Sequence, residues 1–93
     1  MASNDVLRRT LVVRNAKGLH ARPATVLART VGRYDAEVTL ARDGQRVDAR
    51  SVISVLILAA APGTVLTVEA RGPQRHAAMA AVERLFENGF VEE

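Results

Sequence analysis

Only two histidines occur among the 93 residues, and one stands in "GLHARPA", residues 18–24. His20 is followed by Arg22 and Pro23, where a strand connection would meet a helix start. Main-chain N–H groups at a helix start have no acceptor inside the helix, and the helix dipole adds partial positive charge there. Such an end binds anions, phosphate above all. Arg22 keeps its charge at any relevant pH and can fork two hydrogen bonds onto a phosphoryl group. That charge and the dipole favour the neutral imidazole of His20, its nucleophilic form. Each neighbour has a separate use. Gly18 permits a sharp or left-handed turn. Leu19 anchors that turn in the core, and Ala21 leaves room over the helix end. Pro23 fixes φ and gives up an N–H that the first turn would orphan anyway. It also biases Arg22 away from helical geometry, so the helix begins at Ala21 or only at Pro23.

Other chemistries find little support. Few acidic residues lie near His20, and no serine is obviously paired with it. A metal site needs several His or carboxylate ligands at suitable spacing, and none shows, so no metal or cofactor is expected. Cysteine is absent, which excludes disulfides and thiolate sites. The second histidine, His76 in "QRHAAM", falls on the side of a helix away from its apolar stripe and reads as exposed. On the residues alone, His20 either caps a helix or itself accepts a phosphoryl group.

The elements that must hold this pair are legible in the surrounding pattern. "RRTLVVRN" alternates, with Leu11 and Val13 on one face and Thr10, Val12 and Arg14 on the other, as in a half-buried strand. Ala24, Leu27, Ala28 and Val31 form one stripe at helical spacing, ended by Gly32. "AEVTLARDGQRVDA" reads as a hairpin: Ala36, Val38 and Leu40 alternate, Asp43-Gly44 turns, and Val47 and Ala49 return. "SVISVLILAAA" is ambiguous. Its β-branched residues favour a strand, whereas Ser51 as an N-cap and the alanines behind favour a helix. A short helix is the better choice, because so apolar a strand would need cover on both faces. "TVLTVEA" is a strand with Leu66 and Val68 on one side. Gly72-Pro73 then opens a last helix with Ala78, Ala81, Val82, Leu85 and Phe86 buried, and Gly89 at its end. The order is βαββαβα, an α+β domain over residues 1–93. One antiparallel sheet carries helices on one face.

Composition narrows the function further. Hydrophobic residues make up 48% of the chain and aromatics only 3%, so the core must be aliphatic and alanine-rich. The mean hydropathy is +0.04 and the pI about 10.6, yet the formal charge is only +3. Twelve of the 13 basic residues are arginine, scattered as Arg8, Arg9, Arg14, Arg22, Arg29, Arg33 and onward without a block. Most read as solvated surface. No run of aromatic and basic residues of the RNA-binding kind is present, and no apolar stretch nears the ~20 residues of a membrane span. The start, "MASNDVLRRT", lacks the apolar region of a signal peptide, so a cytoplasmic location is expected.

"GLHARPA", with "ARSVISVLILAAAPGT" further on, resembles HPr, the histidine-containing phosphocarrier family of the bacterial phosphoenolpyruvate-dependent phosphotransferase system. The likeness runs over about residues 7 to 90. It implies an open-faced β-sandwich of four antiparallel strands under three helices, in agreement with βαββαβα. It implies that His20 takes a phosphoryl group on Nδ1 from enzyme I and hands it to an enzyme IIA-type acceptor. Arg22 would neutralise the phosphoryl charge, aided by the backbone N–H groups of Ala21 and Arg22. Such a protein is a covalent intermediate in phosphoryl transfer rather than a complete enzyme, and a monomer is expected. Val52, Ile53 and Leu56 match the docking positions, with Ile53 and Leu56 expected to be partly exposed. Ser51 matches the serine that an HPr kinase/phosphorylase modifies in some members, although Arg50 and Ser54 depart from the regulated pattern of lysine and glycine. "GPQRHAAMAAVERLFENGF" looks like the end of the nitrogen-related branch, which serves regulatory acceptors. The rival readings are a regulatory binding module in which docking outweighs transfer and, more distantly, a nucleic-acid binder.

Overall fold

The computed structural model describes residues 5–58 and 60–90. The elements are β1 (Leu7–Val12), α1 (Ala21–Val31), β2 (Glu37–Arg42), β3 (Gln45–Asp48), α2 (Val52–Leu58), β4 (Val65–Arg71) and α3 (Arg75–Glu87). The strands form one antiparallel sheet in the order β1-β4-β2-β3. Period-2 alternation sends Val38 and Leu40 of β2 and Leu66, Val68 and Ala70 of β4 into the core. Three helices cover that face with Ala24, Leu27 and Val31 of α1, Val55 and Leu58 of α2, and Ala78, Met79, Val82, Leu85 and Phe86 of α3. The other face of the sheet is open, so the architecture is the expected open-faced sandwich. The core is aliphatic apart from Phe86 and Phe90, whose rings meet edge to face at 5.2 Å.

Local chemistry explains most of the boundaries. The β2–β3 hairpin turns on Asp43 and Gly44, both at positive φ (48° and 80°), the pattern of a two-residue turn that matches strand twist. Beyond β3, Asp48 ends the pairing: its Oδ1 accepts the Arg50 N–H (2.8 Å) and its carbonyl the Ser51 N–H (3.0 Å). Ala49 is therefore past the strand, though buried, with its N–H donating to Val38 O at 2.9 Å. The ambiguous apolar segment is helix α2. Ser51 caps it, its Oγ accepting the Ser54 N–H at 3.2 Å.

The last helix differs from the expectation at its start. It begins at Arg75 with Gln74 as N-cap, not at Gly72-Pro73. The reason is tertiary. The Gln74 N–H donates to Asp35 O (3.0 Å), and Gln74 Oε1 accepts the Asp35 N–H (2.6 Å), which ties residues 72–74 to the α1–β2 loop. Its buried stripe includes Met79, while Ala81 is only half-buried at the flank. At the other end, Phe90 N–H donates to Leu85 O (2.9 Å) and Gly89 N–H to Phe86 O (3.4 Å), a Schellman closure.

The scattered arginines are not all idle surface. The sheet gathers three on its open face around Glu69 of β4, itself only 4% exposed. Arg8 of β1 donates through Nε (2.8 Å) and Nη2 (2.7 Å) to Oε2. Arg46 of β3 and Arg71 of β4 approach Oε1 at 3.2 and 3.7 Å. The Arg8 hydrogen bond, with the charges of all three guanidinium groups, holds the carboxyl below the ordinary glutamate value of 4.5, against the opposing effect of burial.

Candidate functional site

The approach to His20 is a turn pressed against the exit of α2. Gly18 N–H donates to Asn15 O at 3.0 Å, and the Asn15 side-chain amide donates back to Gly18 O. Gly18 has φ +69°, and a Cβ there would stand 2.4 Å from the backbone oxygen of Ala60. Only glycine meets both demands. The next residue, Leu19, is buried and donates its N–H to that same Ala60 oxygen at 2.9 Å. The turn is thus locked to a segment about forty positions downstream, and His20 leaves it in a defined direction.

His20 is the N-cap of α1, extended at φ −80° and ψ −167°. Its carbonyl accepts the Ala24 N–H at 3.0 Å. Its side chain makes no capping hydrogen bond, and the residue is exposed. A histidine whose role was to cap the helix would spend its ring on a first-turn amide; this one keeps the ring outside the helix. The helix starts at Ala21, the earlier of the two expected positions, despite the bias that Pro23 places on Arg22. Pro23 is buried in the first turn and has no N–H, so Ala21 and Arg22 supply the amides that face this end. His20, Ala21 and Arg22 are thus consecutive exposed residues at the start of α1, with no acidic residue in the first turn.

Two depressions flank His20. A cleft of about 250 Å³ is lined by His20 itself with Lys17, Leu19, Leu56, Ala60 and Ala61. A groove of about 560 Å³ runs along the outer face of α1, where Ala21, Arg22, Thr25, Val26, Arg29 and Arg33 line it. Arg22 thus opens a basic stripe continuing down the helix. α2 packs against α1 and presents an apolar edge to solvent. Ile53 is 66% exposed, Val52 and Leu56 are half-buried, and Val55 and Leu58 face the core. The division expected for Ile53 and Leu56 is present, and Leu56 reaches the His20 cleft.

Several site residues escaped the sequence reading. Ile57 is 69% exposed, more than any expected docking residue, and one helical turn from Ile53; the i, i+4 spacing was the available signal. Ala60 and Ala61 join His20 only through the fold, whereas Lys17 stands just before the Gly18 turn in the sequence. Ser51 lies at the start of α2 with its hydroxyl engaged twice, by the Ser54 N–H and by the Ser54 hydroxyl at 2.9 Å. His76 is exposed on α3. Among the described residues no group of three His, Asp or Glu side chains is placed to hold a metal ion, and no helix is long and apolar enough to cross a membrane.

Known proteins share this chain's sequence and fold along most of its length. The family described as PTS HPr component phosphorylation site matches residues 7–88. The chain is 42% identical to the phosphocarrier protein HPr of Treponema pallidum, over 91% of this chain and 97% of that protein. It is 44% identical to the phosphocarrier protein NPr of Escherichia coli K12, over 94% of this chain and 98% of that one. A crystal structure of HPr from Thermoanaerobacter tengcongensis superposes with a TM-score of 0.88 at 30% identity, covering 94% of this chain and 98% of the other. An exposed histidine on a helix start, in a chain so matched along its length, places this protein in the HPr family of phosphotransferase-system phosphocarriers.

Proposed function

We propose that His20 is the residue that carries the phosphoryl group, received from enzyme I and passed to an enzyme IIA-type acceptor. The observation that carries this reading is the N-cap histidine with its side chain uncommitted to the cap. In the forward step the Nδ1 lone pair of neutral His20 attacks phosphorus. The P–N bond to the donor histidine breaks, and the donor imidazole leaves with that electron pair. The donor ring, protonated at its other nitrogen, leaves as neutral imidazole, and His20 keeps its Nε2 proton, so no proton moves in this step. The chemistry demands positioning and charge stabilisation more than covalent apparatus. Arg22 and the amides of Ala21 and Arg22 supply that stabilisation at the helix end. The apolar edge of Val52, Ile53 and Leu56 is the docking surface beside the reacting atom, and the arginines around it steer toward acidic partners.

The identities of 42% to an HPr and 44% to an NPr are nearly even, so the acceptor is either a sugar-uptake or a nitrogen-related enzyme IIA. The test is incubation with phosphoenolpyruvate and enzyme I. It should give an acid-labile label that His20→Ala abolishes, and transfer to each class of acceptor then identifies the branch. Label persisting in His20→Ala would overturn the assignment. Arg22→Ala should slow transfer about tenfold or more; an unchanged rate would refute its charge role.

A further inference from the structure

The cleft that His20 lines is also lined by a cation other than Arg22. Arg22 lies with Arg29 and Arg33 in the groove on the α1 side. Lys17, an exposed residue, instead lines the same cleft as His20, with Leu56, Ala60 and Ala61 as apolar walls. Lys17 is also the only lysine in a chain whose other basic residues are arginine. The turn that presents it is rigid: the reciprocal Asn15–Gly18 hydrogen bonds span it, and Leu19 is pinned to Ala60. We propose that Lys17 is a second phosphoryl-contacting cation, meeting from the cleft side the oxygens that Arg22 and the helix amides leave uncovered. This rests on the phosphocarrier reading of His20.

The geometry gives the two cations different work. A transferring phosphoryl group spreads its charge over three equatorial oxygens, with donor and acceptor atoms in line above and below. Cations grouped at one edge of that plane leave the oxygen at the opposite edge uncovered. A guanidinium forks onto two oxygens in a fixed plane, whereas an ammonium is a compact charge on a flexible stem with three donors in any direction. The second suits an oxygen that swings as the group arrives and leaves. Lys17 keeps its proton throughout and takes no part in bond making.

The experiment compares the full-length chain with Lys17→Gln and Lys17→Arg, each phosphorylated through enzyme I and followed by phosphorus NMR. In the native chain the phosphoryl group should complete its ionisation at lower pH than in Lys17→Gln, by roughly 0.3 unit or more, with Lys17→Arg in between. Transfer to and from Lys17→Gln should slow about two- to fivefold at saturating partner. Identical phosphorus titrations for native and Lys17→Gln chains would overturn the proposal while the label on His20 stood. A rate defect confined to low partner concentration would also overturn it, assigning Lys17 to steering instead. A native chain that takes no label would overturn the carrier reading and this inference together.

Discussion

Replacing Gly18 by alanine tests whether the turn before His20 is held by steric contact with the α2 exit or only by its backbone conformation. Two penalties are separable. The left-handed φ of +69° costs an alanine about 1–2 kcal/mol. The new Cβ would also sit 2.4 Å from Ala60 O, so the two backbones must part by about 1 Å to reach ordinary contact. That shift strains the Leu19–Ala60 hydrogen bond and adds roughly 1–3 kcal/mol. Gly44 is the control: its φ is +80°, but nothing lies within 4 Å of its Cβ position. Gly44→Ala should therefore lose about 1–2 kcal/mol, and Gly18→Ala about 2–5 kcal/mol. At about 4–8 °C per kcal/mol for a chain near this size, Gly18→Ala should melt roughly 5–20 °C below Gly44→Ala. Urea unfolding should show the same order in midpoint with unchanged slope. Phosphorylation of His20 should slow in Gly18→Ala alone. Equal losses in the two variants would refute the argument that Ala60 excludes a side chain there.

Glu69 has its carboxyl pulled below the ordinary value of 4.5, so its stabilising contribution is present above that pH and lost as pH falls through the folded value. Native and Glu69→Gln chains should thus differ most in unfolding free energy near neutrality and converge in acid; a pH-independent difference would contradict the clustered-arginine account. On α2, Ile53→Asp or Ile57→Asp should leave stability within about 0.5 kcal/mol, because both side chains are mostly exposed. Either should slow transfer about five- to thirtyfold at limiting partner concentration, measured by initial rates. Ser51→Ala should cost about 1 kcal/mol in chemical denaturation by removing the α2 cap, and Ser51→Thr should restore most of it.

Much of this was readable from local signals. The alternation in β1, the i, i+3, i+4, i+7 stripe of α1 and the Asp43-Gly44 turn each depend on residues within one element, so their meaning survives without a fold. His20, Arg22 and Pro23 were legible for the same reason: a helix start is a local object with a fixed electrostatic character. Boundaries set by distant partners were not. Pro73 would be at home in a first turn, but hydrogen bonds between Gln74 and Asp35 delay α3 to Arg75. Arg8, Arg46 and Arg71 look scattered in the chain because the sheet order, not the sequence, makes them neighbours around Glu69.

For the site itself the division is sharp. "GLHARPA" determines a glycine bend, a histidine at a helix start and an arginine two residues on. What surrounds that histidine was decided by tertiary structure. Ala60 under Gly18, and Leu56 and Ala61 along the cleft, come together because the α2 exit packs against the turn. Backbone chemistry acts over a few residues and can be read along the chain. The shape of a cleft depends on contacts between segments about forty residues apart, which only packing brings within reach.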